Sequence, residues 1–286
     1  MYHCLIMIAV VMFGGGFALQ DVYQRLRGSC LRISLESSLI GSLAGLLVLV
    51  AINGVKVGFT SFTLTVAAAA AVNSLAFTFF SFRALSVINL SLYSLFSMLG
   101  GMLLPFLQGI LFYSEPFTLA KGICLVLILA ALLLTVSKSQ QSGSWLYYAG
   151  VFVLNGMSGV LAKLFTTAPF EKTEAAGYSI WIAICTATLS GILLLLLRRP
   201  RNYIPLSGLS AGINLLSGSI NQVANYLLVI ALVHVDASVQ YPMVTGGVMI
   251  VSTALCLVNK TRPSKQELIS VALAFAGLLA LFAIPI

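Results

Sequence analysis

Charge is what this sequence has least of. Of its 286 residues, 8% are Asp, Glu, Lys or Arg, and only seven are acids. A soluble globular domain carries about a quarter charged residues. Here 60% are hydrophobic and the mean hydropathy is +1.07, which excludes a chain that hides its apolar surface from water. Histidine is nearly absent: His3 and His234 stand far apart, so no histidine-rich metal cluster and no HExxH site can form. The five cysteines, Cys4, Cys30, Cys124, Cys185 and Cys256, are dispersed without a CxxC pair. That excludes a disulfide framework and a zinc site, and they read as buried, inert thiols. No run of five basic residues exists, so the net charge of +8 does not point to nucleic acid. Strands of about ten alternating residues, the mark of a membrane barrel, are also missing. No cofactor and no metal is implied. The opening MYHCLIMIAV has neither a basic n-region nor a small-residue cleavage site, and reads as a retained span.

What is there is apolar run after apolar run. A helix needs about 20 such residues to cross a bilayer. Charges, prolines and Gly/Ser clusters divide the chain into ten: 2–24, 32–53, 62–85, 90–112, 117–136, 145–166, 175–197, 206–230, 237–259 and 265–286. The expected fold is an all-α integral membrane protein of ten transmembrane helices, with the lipid bilayer as its solvent. Residues 137–144, SKSQQSGS, form a linker between halves 1–136 and 145–286.

The halves repeat. With a shift of 146 positions Gly100-Gly101 meets Gly246-Gly247, and Leu127, Ala130 and Leu133 meet Leu273, Ala276 and Leu279. Gly14 in FGGGFALQD aligns with Gly156 in LNGMSGVLAK. Five helices per copy make the copies inverted, so equivalent loops should lie on opposite sides and differ in charge. Loops 1–2, 3–4, 5–6, 7–8 and 9–10 hold eleven basic residues and the other loops four. The positive-inside rule makes the first set cytoplasmic, in a bacterial-type inner membrane. Inverted repeats of this kind belong to transporters that alternate access around a midplane site.

The chain resembles the drug/metabolite transporter superfamily, in its ten-helix EamA-like branch, along essentially its whole length. The resemblance rests on the mid-span glycines of FGGGFALQD and LNGMSGVLAK with Lys163 seven residues after Gly156. It rests also on Glu115-x-x-Thr118 followed by Gly122, and on the ALxxxxxS joins at Ala84–Ser91 and Ala231–Ser238. It implies export or exchange of a small organic metabolite or drug, with helices one, three, four, six, eight and nine lining the cavity.

Candidate binding residues follow from polar side chains at depth. A buried amide costs about 2–7 kcal/mol if nothing replaces its water. Asn73, Asn155, Asn221 and Asn225 lie mid-span; Asn214, Asn221, Gly218 and Asn225 share one stripe on helix eight. Tyr93, Ser97 and Tyr241 lie on helices four and nine. Each asparagine is equally readable as interhelix glue. Among the acids Glu36 lies deepest in its span, with Asp21 and Glu267 near span ends. Arg32, four residues earlier, offers it a local ion pair, and the other reading is a coupling role. Asp21 and Lys163 occupy equivalent repeat positions with opposite charge, a candidate gating contact. With no unpaired charge at the centre, the expected substrate is amino-acid-like, an amine or another neutral or zwitterionic solute. Two rivals stay open: an intramembrane serine enzyme built on Ser158 in Gly156-Met157-Ser158-Gly159, which lacks a nearby histidine base, and a non-transporting membrane scaffold. A monomer and a homodimer are both compatible with an internally duplicated unit.

Overall fold

The computed structural model describes residues 2–54, 57–87, 90–136, 145–198, 203–258 and 265–283. Within them the chain forms ten helices and no strand. They are α1 (Tyr2–Arg27), α2 (Leu31–Asn53), α3 (Ser61–Leu85), α4 (Leu90–Phe112), α5 (Leu119–Val136), α6 (Trp145–Thr167), α7 (Ala175–Leu196), α8 (Gly208–Leu232), α9 (Ala237–Val258) and α10 (Lys265–Ala283). Segment 137–144, expected as the linker, lies outside the described residues, as do Lys56, Lys138, Lys260 and Arg262.

Helix ends follow local chemistry. Gly28 at φ 90° ends α1, and Gly54 at φ 78° ends α2, its N–H donating to Val50 O. These are left-handed conformations that favour glycine. The Thr60 hydroxyl accepts from Thr63 N at 3.2 Å and starts α3. Ser207 and Ser210 exchange hydrogen bonds in a capping box at the start of α8, two residues later than the apolar run alone suggested.

Helices α1, α2, α3, α6, α7 and α8 are long and apolar enough to cross a membrane. Large apolar side chains face outward: Leu47 is 72% exposed and Leu195 88%. Water would penalise that surface, whereas hydrocarbon does not, so the protein is membrane-embedded. The two halves interleave. Helix α1 packs on α8 and α9, α2 on α7 and α8, α3 on α6 and α7, α4 on α6 and α9, and α5 on α10.

Glycines make the tightest crossings, where backbones touch. A Cβ at Gly218 of α8 would overlap the backbone of Gly41 in α2, and one at Gly100 of α4 the backbone of Phe152 in α6. A Cβ at Gly156 would lie 2.6 Å from Gly100 O, and one at Gly14 would strike Val251 of α9. Gly15, in the middle of the GGG run, has nothing within 4 Å. Close packing is what small residues contribute between membrane helices.

Candidate functional site

A cavity of about 270 Å³ lies between the halves, roughly midway along the helices. Helix α8 supplies its longest wall: Asn214, Ser217, Gly218, Asn221, Gln222 and Asn225 all line it. The stripe read from the sequence is therefore a cavity wall. Facing it are Phe13, Phe17 and Gln20 of α1, Ser74 and Phe77 of α3, Asn155 and Ser158 of α6, and Gln240 and Tyr241 of α9. Ser37, Ser38 and Ser42 of α2 and Thr186 of α7 also line it. These two helices are additions to the expected set, while α4 supplies Gly101 alone among the described residues. The signal for α2 was the short polar run LESSLIGS, whose serines turn toward α8.

Among the described residues no Asp, Glu, Lys, Arg or His lines the cavity. Apolar clusters lie toward both ends. Near the C-terminal ends of α1 and α3, Tyr23, Ile33 and Phe82 pack together, with Tyr23 and Phe82 ring centroids 5.9 Å apart. Toward the other end Val66, Ala67, Phe165, Tyr178 and Val229 form a second cluster, in which Phe165 and Tyr178 stack at 4.0 Å.

The candidate residues separate into wall and scaffold. Asn221 reaches Ser217 Oγ through Nδ2 at 3.3 Å and rests against Gly16, where a Cβ would lie 2.5 Å from its Oδ1. A side chain at 16 would push this amide from its place. Asn155 Nδ2 donates to Ser97 O at 2.6 Å, and Asn225 Nδ2 to Asn221 O at 2.8 Å. The Tyr241 hydroxyl donates to Gly159 O at 3.0 Å, so its ring lines the cavity while its polar end ties α9 to α6. Asn214 exchanges two hydrogen bonds with Ser37, at 2.8 and 3.1 Å, joining α8 to α2 at one edge of the cavity.

Three candidates stand off the wall. Asn73 is buried, with Nδ2 donating to Leu154 O at 2.9 Å and Ser158 Oγ at 2.8 Å. It is a tie between α3 and α6. Asn73→Leu is expected to cost about 1–2 kcal/mol of stability, read as a shifted unfolding midpoint in detergent. Tyr93 is fully buried and donates to Ser81 Oγ at 2.9 Å. Ser97, also buried, contributes its backbone carbonyl to Asn155. Depth alone could not separate these from wall residues, because the separation depends on which way each helix is turned.

The charged candidates lie beyond the cavity. Glu36 does pair with Arg32, at 3.3 Å, but Arg27 is closer at 2.7 Å, and the Tyr203 hydroxyl donates to both carboxylate oxygens at 2.9 Å. Arg32 also caps the end of α7 through Leu197 O. A carboxylate so engaged at the α1–α2 turn is a structural tie. The supposed contact between Asp21 and Lys163 is absent among the described residues. Asp21 pairs with Arg25 at 3.1 Å, one turn along its own helix, and Lys163 reaches Glu115 at 2.7 Å. Glu115 also accepts from Ser238 N at 3.1 Å, at the start of α9. Burial pushes the Glu115 carboxyl up, but the Lys163 ammonium and the Ser238 hydrogen bonds outweigh it and hold it below the ordinary carboxylate value. No group of three metal-ligating side chains occurs among the described residues.

The sequence matches no family model and no curated protein. A solved structure, described only as the crystal structure of a protein, is similar at a TM-score of 0.69 and 17% identity, over 96% of this chain and 94% of that one. At that identity the likeness speaks for the fold alone.

Proposed function

We propose that the chain is a secondary transporter of a small organic solute. It alternates access across ten spans arranged as two inverted five-helix repeats, in the manner of the drug/metabolite transporters it resembles. The carrying observation is the cavity: polar yet uncharged among the described residues, built from both halves, and flanked by apolar clusters toward both membrane faces. A scaffold has no use for so many amides and hydroxyls in hydrocarbon, where each needs a partner.

The packing supports the repeat. Under a two-fold relation α1 on α8 answers α6 on α3, α1 on α9 answers α6 on α4, and α2 on α8 answers α7 on α3, and all these pairs occur. Gly14 against α9 answers Gly156 against α4. Two such copies can exchange conformations, which turns an inward-open state into an outward-open one. The uneven loop charges favour a cytoplasmic position for the α1–α2 and α7–α8 turns; an impermeant thiol reagent should then label Glu171→Cys, in the opposite set, from outside.

Flux through proteoliposomes tests the reading. Asn221→Leu is expected to remove transport while the protein elutes from a sizing column unchanged. Undiminished flux would sink the pocket and favour the scaffold. The serine-enzyme rival gains nothing from the geometry. Ser158 Oγ bonds to Leu154 O at 3.2 Å and to Asn73, and His234 stacks on Tyr2 at 4.0 Å, remote from it.

A further inference from the structure

Four amides on the cavity wall are held one way round. Asn155 donates to Ser97 O at 2.6 Å, Gln222 to Ser179 O at 3.1 Å, Asn225 to Asn221 O at 2.8 Å and Gln240 to Leu228 O at 3.0 Å. Every partner is a backbone carbonyl, which can only accept. The amide nitrogen must face it, so these orientations are dictated by chemistry rather than chosen. Each amide keeps its oxygen, with two lone pairs, and one further N–H. None of the four oxygens has a hydrogen-bond partner among the described residues, and Gln240 Oε1 is completely buried without one. Hydroxyls add to the same bias. Ser42, Thr78 and Ser217 send their protons to the carbonyls of Leu39, Ser74 and Gly16, leaving lone pairs.

Among the described residues the anchored amides and hydroxyls thus leave the cavity more fixed lone pairs than fixed N–H groups, and no cationic side chain lines it. A carboxylate entering it would find no lysine or arginine among the described residues. The second N–H of each anchored amide, the rotatable Ser38 and Thr186 hydroxyls and the Gln20 amide are all uncharged donors, poor replacements for its water shell. An ammonium group brings three donors and a positive charge to oxygens already in position, as a cation does in a carbonyl-lined filter. Phe13, Phe17 and Phe77 supply aromatic surface for the rest of such a molecule or for its charge. We propose that the cavity selects an organic ammonium ion, a small apolar or aromatic body carrying a primary amine, over the carboxylate of the same skeleton. The inference rests on reading this cavity as the substrate site.

A matched series tests it: phenethylamine, phenylalanine, 3-phenylpropanoate and 2-phenylethanol, then butylamine, butyrate and butanol. Binding is measured calorimetrically on the full chain in nanodiscs, with empty nanodiscs subtracted. At least one amine is expected to bind at least about tenfold tighter than its carboxylate and alcohol. Asn225→Lys should weaken that binding by at least about tenfold, and Asn225→Asp should tighten it. A merely structural role for Asn225 would damage both variants alike. The proposal is overturned if a carboxylate or the zwitterion binds as tightly as the amine, if neither amine binds, or if the two variants move affinity in the same direction. Saturable amine binding without amine flux would sink the transporter reading alone. Flux of another solute without amine binding would sink this inference alone.

Discussion

Lys163→Met is expected to destabilise the protein by about 3–5 kcal/mol, the usual cost of stranding one member of a buried ion pair. Lys163 and Glu115 side chains are 8% and 7% exposed, with Nζ and Oε1 2.7 Å apart. The pair fastens the α4–α5 turn to the end of α6, and Ser238 N brings the start of α9 to the same carboxylate. Without the ammonium, Glu115 keeps its burial and loses its largest compensation. The double variant Lys163→Met, Glu115→Leu should recover most of the loss, because apolar replacement of a whole buried pair is often neutral. Unfolding midpoints of the four proteins in detergent close the cycle; a Lys163→Met midpoint equal to the native one would refute the pair's importance. The direction of the Glu115 shift also fixes a pH dependence. Its native value lies below the ordinary 4.5, so the pair's contribution is complete above that value. It drains away as pH falls through the lower native one. The native protein should therefore lose stability in acid faster than the double variant.

Gly100→Ala is expected to cost about 3 kcal/mol or more, at or beyond the top of the range for overpacking. A methyl there meets the Phe152 carbonyl and lies 2.6 Å from the Phe152 Cα, so backbone must move instead of a flexible side chain. A Cβ at Gly156 of α6 would likewise lie 2.6 Å from Gly100 O, so the two backbones already touch at both glycines. Gly15→Ala is the control. With open space around Gly15, alanine in a helix should be neutral or stabilising by about 0.5–1 kcal/mol. Yield and thermal unfolding of both variants check the contrast, and equal losses would show that the α4–α6 crossing tolerates separation.

The helices were legible because hydropathy and breakers act locally. The run read as 62–85 is helix Ser61–Leu85, and the run read as 90–112 is Leu90–Phe112. The stripe on α8 was legible for the same reason, since angle around one helix is a property of one segment. The roles of single polar residues were not. Asn73 and Asn155 lie at comparable depth, yet one ties α3 to α6 and the other lines the cavity, a difference set by helix rotation. Glu36 shows both cases at once. Arg32 sits one turn away and could be foreseen, whereas Tyr203 arrives from far along the chain. Lys163 was matched with Asp21 because the repeat equates their positions. Equivalence in a duplicated sequence is not proximity, and each charge found its partner elsewhere.

The interleaving of the halves has a consequence for how the protein is made. When the first 136 residues have left the ribosome, α1 still lacks α8 and α9, α2 lacks α7 and α8, and α4 lacks α6 and α9. At about 5–20 residues per second the remaining chain takes roughly 8–30 s to appear. Until residue 154 appears Asn73 lacks the Leu154 carbonyl, and until residue 214 appears Ser37 lacks Asn214. The insertion machinery must shelter five orphan helices with their polar faces unanswered, so the nascent chain, rather than the finished protein, is the form most exposed to quality-control proteases.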